Sequence, residues 1–256
     1  MDRIDDAHRQ PSYGVGLEWG AAGADALGPG CHVAVVVDVL SFTTTLTVAA
    51  DRGITVYPYR WRDAAAATYA AERGAVLAVG RSRARPGEIS LSPASVRTAR
   101  PSPSRLVLPS PNGSTISARL ASGSTEVIGV CLRNRQAAAE WLCRRRRTDP
   151  ALRVAVIAAG ERWPGGALRP AVEDQWGAGA LIEALVARGW DDLSPEARSA
   201  VGTFDAVAGD LGRALRHCAS GRELVDLGYQ DDVRTAAELD HSESVPLLSG
   251  EAFLAS

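Results

Sequence analysis

The sequence predicts an α/β protein, layered α/β/α around a mainly parallel sheet, with a helical C-terminal part from about residue 194. Two observations carry this. Short β-branched runs alternate with longer alanine-rich stretches, and each run is followed by a helical or loop segment. The runs are also continuously apolar, as strands covered on both faces are. A chain of 256 residues, 46% hydrophobic and 23% charged, suits one folded domain over 1–256.

The elements follow in order. HVAVVVDV (32–39) is the first strand, and a helix over 43–52 follows its hydroxyl-rich turn. ITVYPY (54–59) is the next strand, then a helix over 63–73 and the strand AVLAVG (75–80). Residues 81–104, rich in Pro, Ser and Arg and without periodicity, form a long excursion of a kind that is often functional. RLVLPS (105–110), a helix over 113–122, EVIGV (126–130) and a helix over 134–146 come next. RVAVIAAG (153–160) and a helix over 172–188 complete the sheet-forming part, and two helical stretches follow Ser194. VVVDVLSFTTTLTVAADRGITVYPY and LVLPSPNGSTISARLASGSTEVIGV align without a gap, each reading strand, hydroxyl-rich turn, helix, Gly, strand.

Composition removes several chemistries. Every Lys/Arg position is arginine. Schiff-base catalysis, a pyridoxal-phosphate lysine and the P-loop GxxxxGK[ST] are therefore excluded. The four histidines, His8, His32, His217 and His241, stand beside no plausible nucleophile, which disfavours a Ser-His-Asp triad or a phosphohistidine enzyme. Cys31, Cys131, Cys143 and Cys218 are widely spaced and read as buried thiols rather than as disulfides or a zinc site. A net charge of -2 argues against a nucleic-acid or membrane partner, and the run Arg144 to Arg147 reads as a solvated helix end. No apolar stretch approaches a spanning helix and the polar start MDRIDDAHRQ lacks a signal-peptide core, so the expected location is cytoplasmic. A homodimer is compatible with this composition.

Ligands of open parallel sheets collect outside the carboxyl ends of the strands, so Asp38, the SPNGST turn and the loop after VAVIAAG are expected to share one crevice. Asn112, Gly113, Ser114 and Thr115 open a helix and form a candidate phosphate cradle; Thr43, Thr44 and Thr45 offer a second. Each turn also has a plain reading as an N-cap. Asp38 needs a cation or several donors to stay ionised when buried, and no lysine is available. Glu161 after a strand, and Glu173 and Asp174 in a first helical turn, are the acids that would share a divalent cation with it. Oxygen ligands of this kind suit Mg²⁺. Arg133 in CLRNRQA is the leading candidate to grip an anion, with Arg162, Arg169, Arg81 and Arg85 as further arginines near the crevice. GAGA at 177–180 lies in a helix, where packing explains it better than a dinucleotide fingerprint.

Taken together, VVVDVLSFTTTLTVAADRG, GEISLSP, SPNGST, CLRN, AAGE with its later ED and GAGA, and SGRELVDLGYQDDV resemble the 2-phosphosulfolactate phosphatase family in order over most of residues 31–248. The resemblance implies a Mg²⁺-dependent hydrolase of phosphate esters of 2-hydroxy acids, on the route to coenzyme M. It also implies a Mg²⁺ site among acids and a phosphate cradle at the NG turn. The chain departs from the family's usual DVLRATT at Ser41 and Phe42, and the lost arginine is one that would grip the substrate's acid group. On this reading Asp38, Glu161 and Arg133 are catalytic, Thr44, Thr45 and residues 112–115 hold the phosphoryl group, and Asp38, Glu173 and Asp174 hold the metal. Whether Asp38 attacks phosphorus or only ligates the ion is open.

Three other readings are weighed. An isochorismatase-like hydrolase needs a lysine. A haloacid-dehalogenase-type phosphatase needs a second aspartate where Leu40 stands. A non-catalytic anion-binding protein would use the same acids merely as helix caps.

Overall fold

The computed structural model describes residues 5–60, 63–85, 87–121, 123 and 125–256. Ser122, the last residue of the helix expected over 113–122, and Pro86 in the excursion lie outside these. In chain order the elements are β1 (Val15–Trp19), α1 (Gly20–Leu27), β2 (Val33–Val37), α2 (Phe42–Asp51), β3 (Thr55–Tyr59), α3 (Ala65–Glu72), β4 (Val76–Leu77) and α4 (Pro93–Thr98). Then come β5 (Arg105–Pro109), α5 (Gly113–Leu120), β6 (Glu126–Val130), α6 (Arg135–Thr148), β7 (Val154–Ala158), β8 (Glu161–Arg162), β9 (Leu168–Arg169) and α7 (Val172–Val186). The rest is α8 (Pro195–Asp205), α9 (Leu211–His217), α10 (Ala219–Asp226), α11 (Gln230–Ala236), β10 (Pro246–Ser249) and β11 (Ala252–Ala255).

Among the described residues nine strands form one sheet in the order β1-β7-β2-β6-β10-β11-β3-β5-β4. Five neighbouring pairs are parallel, and the three that involve β10 or β11 are antiparallel. The expected α/β class with a mainly parallel sheet is therefore present. Side chains alternate across it: Val33, Val35, Val37, Ile128, Val130, Val154 and Val156 join one core with α6 to α9. Ala34, Val36, Val127, Ala155 and Ile157 join the other with α1, α2, α4 and α5. Continuous apolar strands arise because both faces are covered.

The two units that align in sequence interlock. β2 of the first pairs with β6 of the second, and β3 of the first with β5 of the second. The hairpin of β10 and β11 sits between these pairs, so the end of the chain lies at the sheet's centre. Neither strand of that hairpin was expected, nor was the β1–α1 unit. PLLS and AFLA are only four residues each, and Gly16 and Glu18 interrupt the apolar pattern of β1. Their strand state comes from pairing, not from local preference.

The small-residue run in α7 packs as expected: a Cβ on Gly179 would lie 2.0 Å from the Ala200 carbonyl oxygen of α8. Arg144 and Arg145 pair with Glu140 and Glu126, and Arg146 stacks on Trp190, as a solvated helix face should. Cys131 and Cys218 are buried, while Cys31 and Cys143 are partly exposed, and all four are free thiols. Among the described residues no helix is long and apolar enough to cross a membrane.

Candidate active site

β2 ends at Val37 and delivers Asp38, only 7% exposed, to the start of two helices. Its Oδ1 accepts from the Phe42 N–H (3.0 Å) at the head of α2, and its Oδ2 accepts from the Gly113 N–H (3.1 Å) at the head of α5. The open N–H groups and positive dipole ends of two helices thus converge on one carboxylate. The approach leaves no room for a side chain at residue 113, where a Cβ would stand 2.2 Å from the Phe42 ring and 2.9 Å from Asp38 Oδ2. β2 and β5 are separated by four strands and three antiparallel pairings, yet their ends meet here.

The hydroxyls around Asp38 face the backbone. Thr43 Oγ1 donates to Asp38 O (2.8 Å), Thr44 Oγ1 to Val39 O (2.8 Å), Thr45 Oγ1 to Ser41 O (2.7 Å) and Ser114 Oγ to Leu108 O (3.3 Å). All four are fully buried. The expectation that Thr44, Thr45 and Ser114 hold phosphoryl oxygens is corrected: their protons serve carbonyls that the tight strand-to-helix turns leave open.

The later acids lie near Asp38. Asp174, in the first turn of α7, accepts from the Val39 N–H (2.7 Å) and the Gly160 N–H (2.9 Å), clipping the loops after β2 and β7 together. Glu173 beside it is buried, and its Oε2 has no hydrogen-bond partner. Glu161, on β8, accepts from Asn112 Nδ2 (3.0 Å). The acids act on one another. Burial, then the charge of Glu173, raises Asp38 to about 6 against the pull of its two N–H bonds and Arg81. Burial, then Asp38 and Glu173, raises Glu161 to about 7 despite its bond from Asn112. Asp174 is held well above the usual carboxylate range by burial and then by Asp38 and Glu173. The Cys218 thiol, buried against Glu173, is pushed up to about 12, first by burial and then by that carboxylate's charge.

A cleft of about 160 Å³ reaches this cluster at Glu161 and is lined also by Asn112, Thr115, Arg162, Trp19 and Leu168 among others. Trp19 and Leu168 belong to β1 and to the β8–β9 hairpin, which the sequence reading did not resolve as strands.

Arg133 is not part of the site. It is 1% exposed, and its Nε, Nη1 and Nη2 donate to Glu238 (3.1 Å), Thr47 Oγ1 (2.7 Å) and Asp51 (3.1 Å). Its fork clamps the far end of α2 to the C-terminal chain, leaving no arm for a ligand. Arg162 bonds within the β8–β9 hairpin, to Gly166 O, and Arg85 lies with its exposed loop against Glu88. Arg169 donates to Ser220 Oγ (3.1 Å), and its charge draws the Glu161 pKa down. Arg81 comes closer. It donates to Ser41 Oγ, pairs with Asp232 (3.1 Å), and its charge reaches Asp38.

Among the described residues no three His, Cys, Asp or Glu side chains are gathered so as to hold a metal ion by themselves. A ready three-carboxylate shell of Asp38, Glu173 and Asp174 is therefore not formed, and Asp38 and Asp174 each have both oxygens engaged by backbone N–H groups. The donor chemistry still fits Mg²⁺, which needs only one or two carboxylates beside water and phosphate oxygens. The unpartnered Oε2 of buried Glu173 is the atom that most needs such a charge.

The sequence that builds this site has relatives. A protein of Deinococcus radiodurans named probable 2-phosphosulfolactate phosphatase is 31% identical over 84% of this chain and 87% of its own. Proteins with the same name from Synechococcus sp. and Thermotoga petrophila are 30% and 27% identical, over 87% and 88% of this chain and 89% and 92% of theirs. The sequence model of the family described as 2-phosphosulpholactate phosphatase matches residues 26–251, a span that takes in Asp38, the NG turn, Glu161 and the Glu173–Asp174 pair, and the chain belongs to that family.

Proposed function

We propose that the protein is a Mg²⁺-dependent phosphomonoesterase acting on phosphate esters of small 2-hydroxy acids, of which 2-phosphosulfolactate is the type. The observation that carries this is the cluster of buried Asp38, Glu173 and Asp174 with half-buried Glu161, where Asp38 meets the heads of α2 and α5 and one Glu173 oxygen is unpartnered. So many acids in one place need a cation when ionised. Glu173 would hold it, with Asp38 lending the lone pairs that its two N–H bonds leave, Glu161 at the cleft and Asp174 fixing the two loops. When bound, Mg²⁺ neutralises charge on the phosphoryl oxygens.

The remaining roles belong to the chain itself. Asn112 orients Glu161, whose pKa of about 7 suits it to pass a proton to the leaving oxygen. Gly113 holds Asp38 in place through its N–H, and Thr115 lines the cleft. The name shared by the relatives supports the substrate class. A cytoplasmic location and a step toward coenzyme M go with this reading.

The test is phosphate release from a panel of 2-hydroxy-acid phosphates with Mg²⁺ and with EDTA. Release that stops in EDTA and returns with Mg²⁺ is expected. Absence of hydrolysis, with thermal stabilisation by inorganic phosphate that ignores Mg²⁺, would instead indicate an anion-binding protein.

A further inference from the structure

A substrate that carries a carboxylate or sulfonate beside its phosphate ester brings a second negative charge into a site already dense with acids. A cation other than the metal must meet that charge. Arg81 is placed for it. The residue follows β4 in a short turn at the start of the 81–104 excursion, and its side chain is only 19% exposed. Nε donates to Asp232 Oδ2 (3.1 Å) and Nη2 donates to Ser41 Oγ, one residue before the Phe42 amide that binds Asp38. The ring of Tyr229 lies 5.6 Å from its guanidinium carbon. Among the described residues Nη1 has no hydrogen-bond partner.

The support for this side chain is elaborate for a surface arginine. Asp232, on α11, is 1% exposed and also accepts from Ser92 Oγ (2.5 Å) and from the Ala94 N–H (3.2 Å). The excursion and the C-terminal helices thus meet at one carboxylate whose outward partner is Arg81. An arm fixed at Nε and Nη2 presents Nη1 as a preorganised donor to a planar or tetrahedral anion. Arg81 thus brings its guanidinium to the turn after β2 from another element.

We propose that Arg81 is the specificity residue of the site: held at Ser41 by Asp232, it binds the carboxylate or sulfonate of the substrate rather than its phosphoryl group. Asp232 is a positioning residue that acts through it. The inference rests on the phosphatase reading and deepens it.

The experiment compares the intact protein with Arg81→Gln on two esters, 2-phospholactate and glycerol phosphate, which lacks the acid group. The expected result is a kcat/KM loss of about 10- to 100-fold on 2-phospholactate, the scale of one hydrogen bond to a charged group, and a loss at least tenfold smaller on glycerol phosphate. Equal losses on both overturn the proposal and assign Arg81 to the phosphoryl group. No loss on either overturns it as well. Asp232→Asn is expected to raise KM for 2-phospholactate more than it lowers kcat, and the reverse split counts against a positioning role. Should Asp232→Asn fail to fold, Arg81→Gln alone decides. If the unaltered protein hydrolyses neither ester, the phosphatase reading fails by itself. Calorimetric titration with malate, a 2-hydroxy dicarboxylate, and with inorganic phosphate then tests Arg81. Selective loss of malate binding in Arg81→Gln supports the assignment, and undiminished malate binding, or none by the unaltered protein, overturns it.

Discussion

Asp38 shows why one residue can look overdetermined in a sequence. It closes a buried strand and caps two helices, and it belongs to a set of acids whose charges oppose one another. Glu173 carries the clearest consequence, because its unpartnered oxygen is a stability cost that function would justify. Glu173→Gln should raise metal-free stability at pH 8 by about 1 kcal/mol while removing the thermal shift given by Mg²⁺. Paired melts with and without the ion check both effects, and a variant that keeps the shift removes Glu173 from the metal site. Arg133 makes the opposite case. Removing it takes a buried guanidinium from Asp51 and Glu238, which keep Ser242 and Arg97, so Arg133→Ala should cost about 2–3 kcal/mol in urea unfolding. Phosphate release per folded molecule should survive, since its fork touches none of the cluster's acids.

At the scale of elements, the helices of the first unit and the second are placed by strand ends that carry hydroxyls. The sequence made these hydroxyls conspicuous but not their targets. Thr44, Thr45 and Ser114 read equally well as ligand donors or as turn-closing donors, because residue type does not say which acceptor stands nearer. The fold settled it by leaving Val39, Ser41 and Leu108 carbonyls within reach. Gly113 is where element and site coincide. Gly113→Ala would drive a methyl into the fully buried Phe42 ring and separate α5 from Asp38. A loss of about 1–3 kcal/mol is expected, with kcat falling more than KM rises. Denaturant melts and steady-state kinetics measure the two parts, and an unchanged kcat would separate the α5 amide from the chemistry.

For the whole molecule the acid cluster sets a pH dependence whose sign follows from its burial. Folded Asp38 and Glu161 keep protons to about 6 and about 7, above the ordinary carboxylate values they regain on unfolding. Between roughly pH 4 and pH 7 the folded state therefore binds more protons than the unfolded one. Metal-free stability should accordingly fall as pH rises through that window. Mg²⁺ needs the ionised acids, so the Tm gain it gives should be small at pH 5 and larger at pH 8. Scanning calorimetry across this range with EDTA or excess Mg²⁺ tests the pair of trends. A metal-free Tm that climbs toward pH 7 would contradict the cluster's assignment.

The sequence by itself determined the α/β class, six of the sheet's strands, the helices that begin at the NG turn and at the Glu173–Asp174 pair, and the acids that would meet. Those features are written in local runs and in residue type: apolar stretches long enough to be strands, glycine and hydroxyls at turns, and carboxylates that nothing nearby neutralises. Tertiary structure alone decided that the last eleven residues supply two central strands, that Arg133 is a clamp, and that Arg81 faces Ser41 from forty positions away. The physical reason is common to all three. Short strands and arginine forks take their meaning from partners remote in the chain, and only folding selects which partner each one meets.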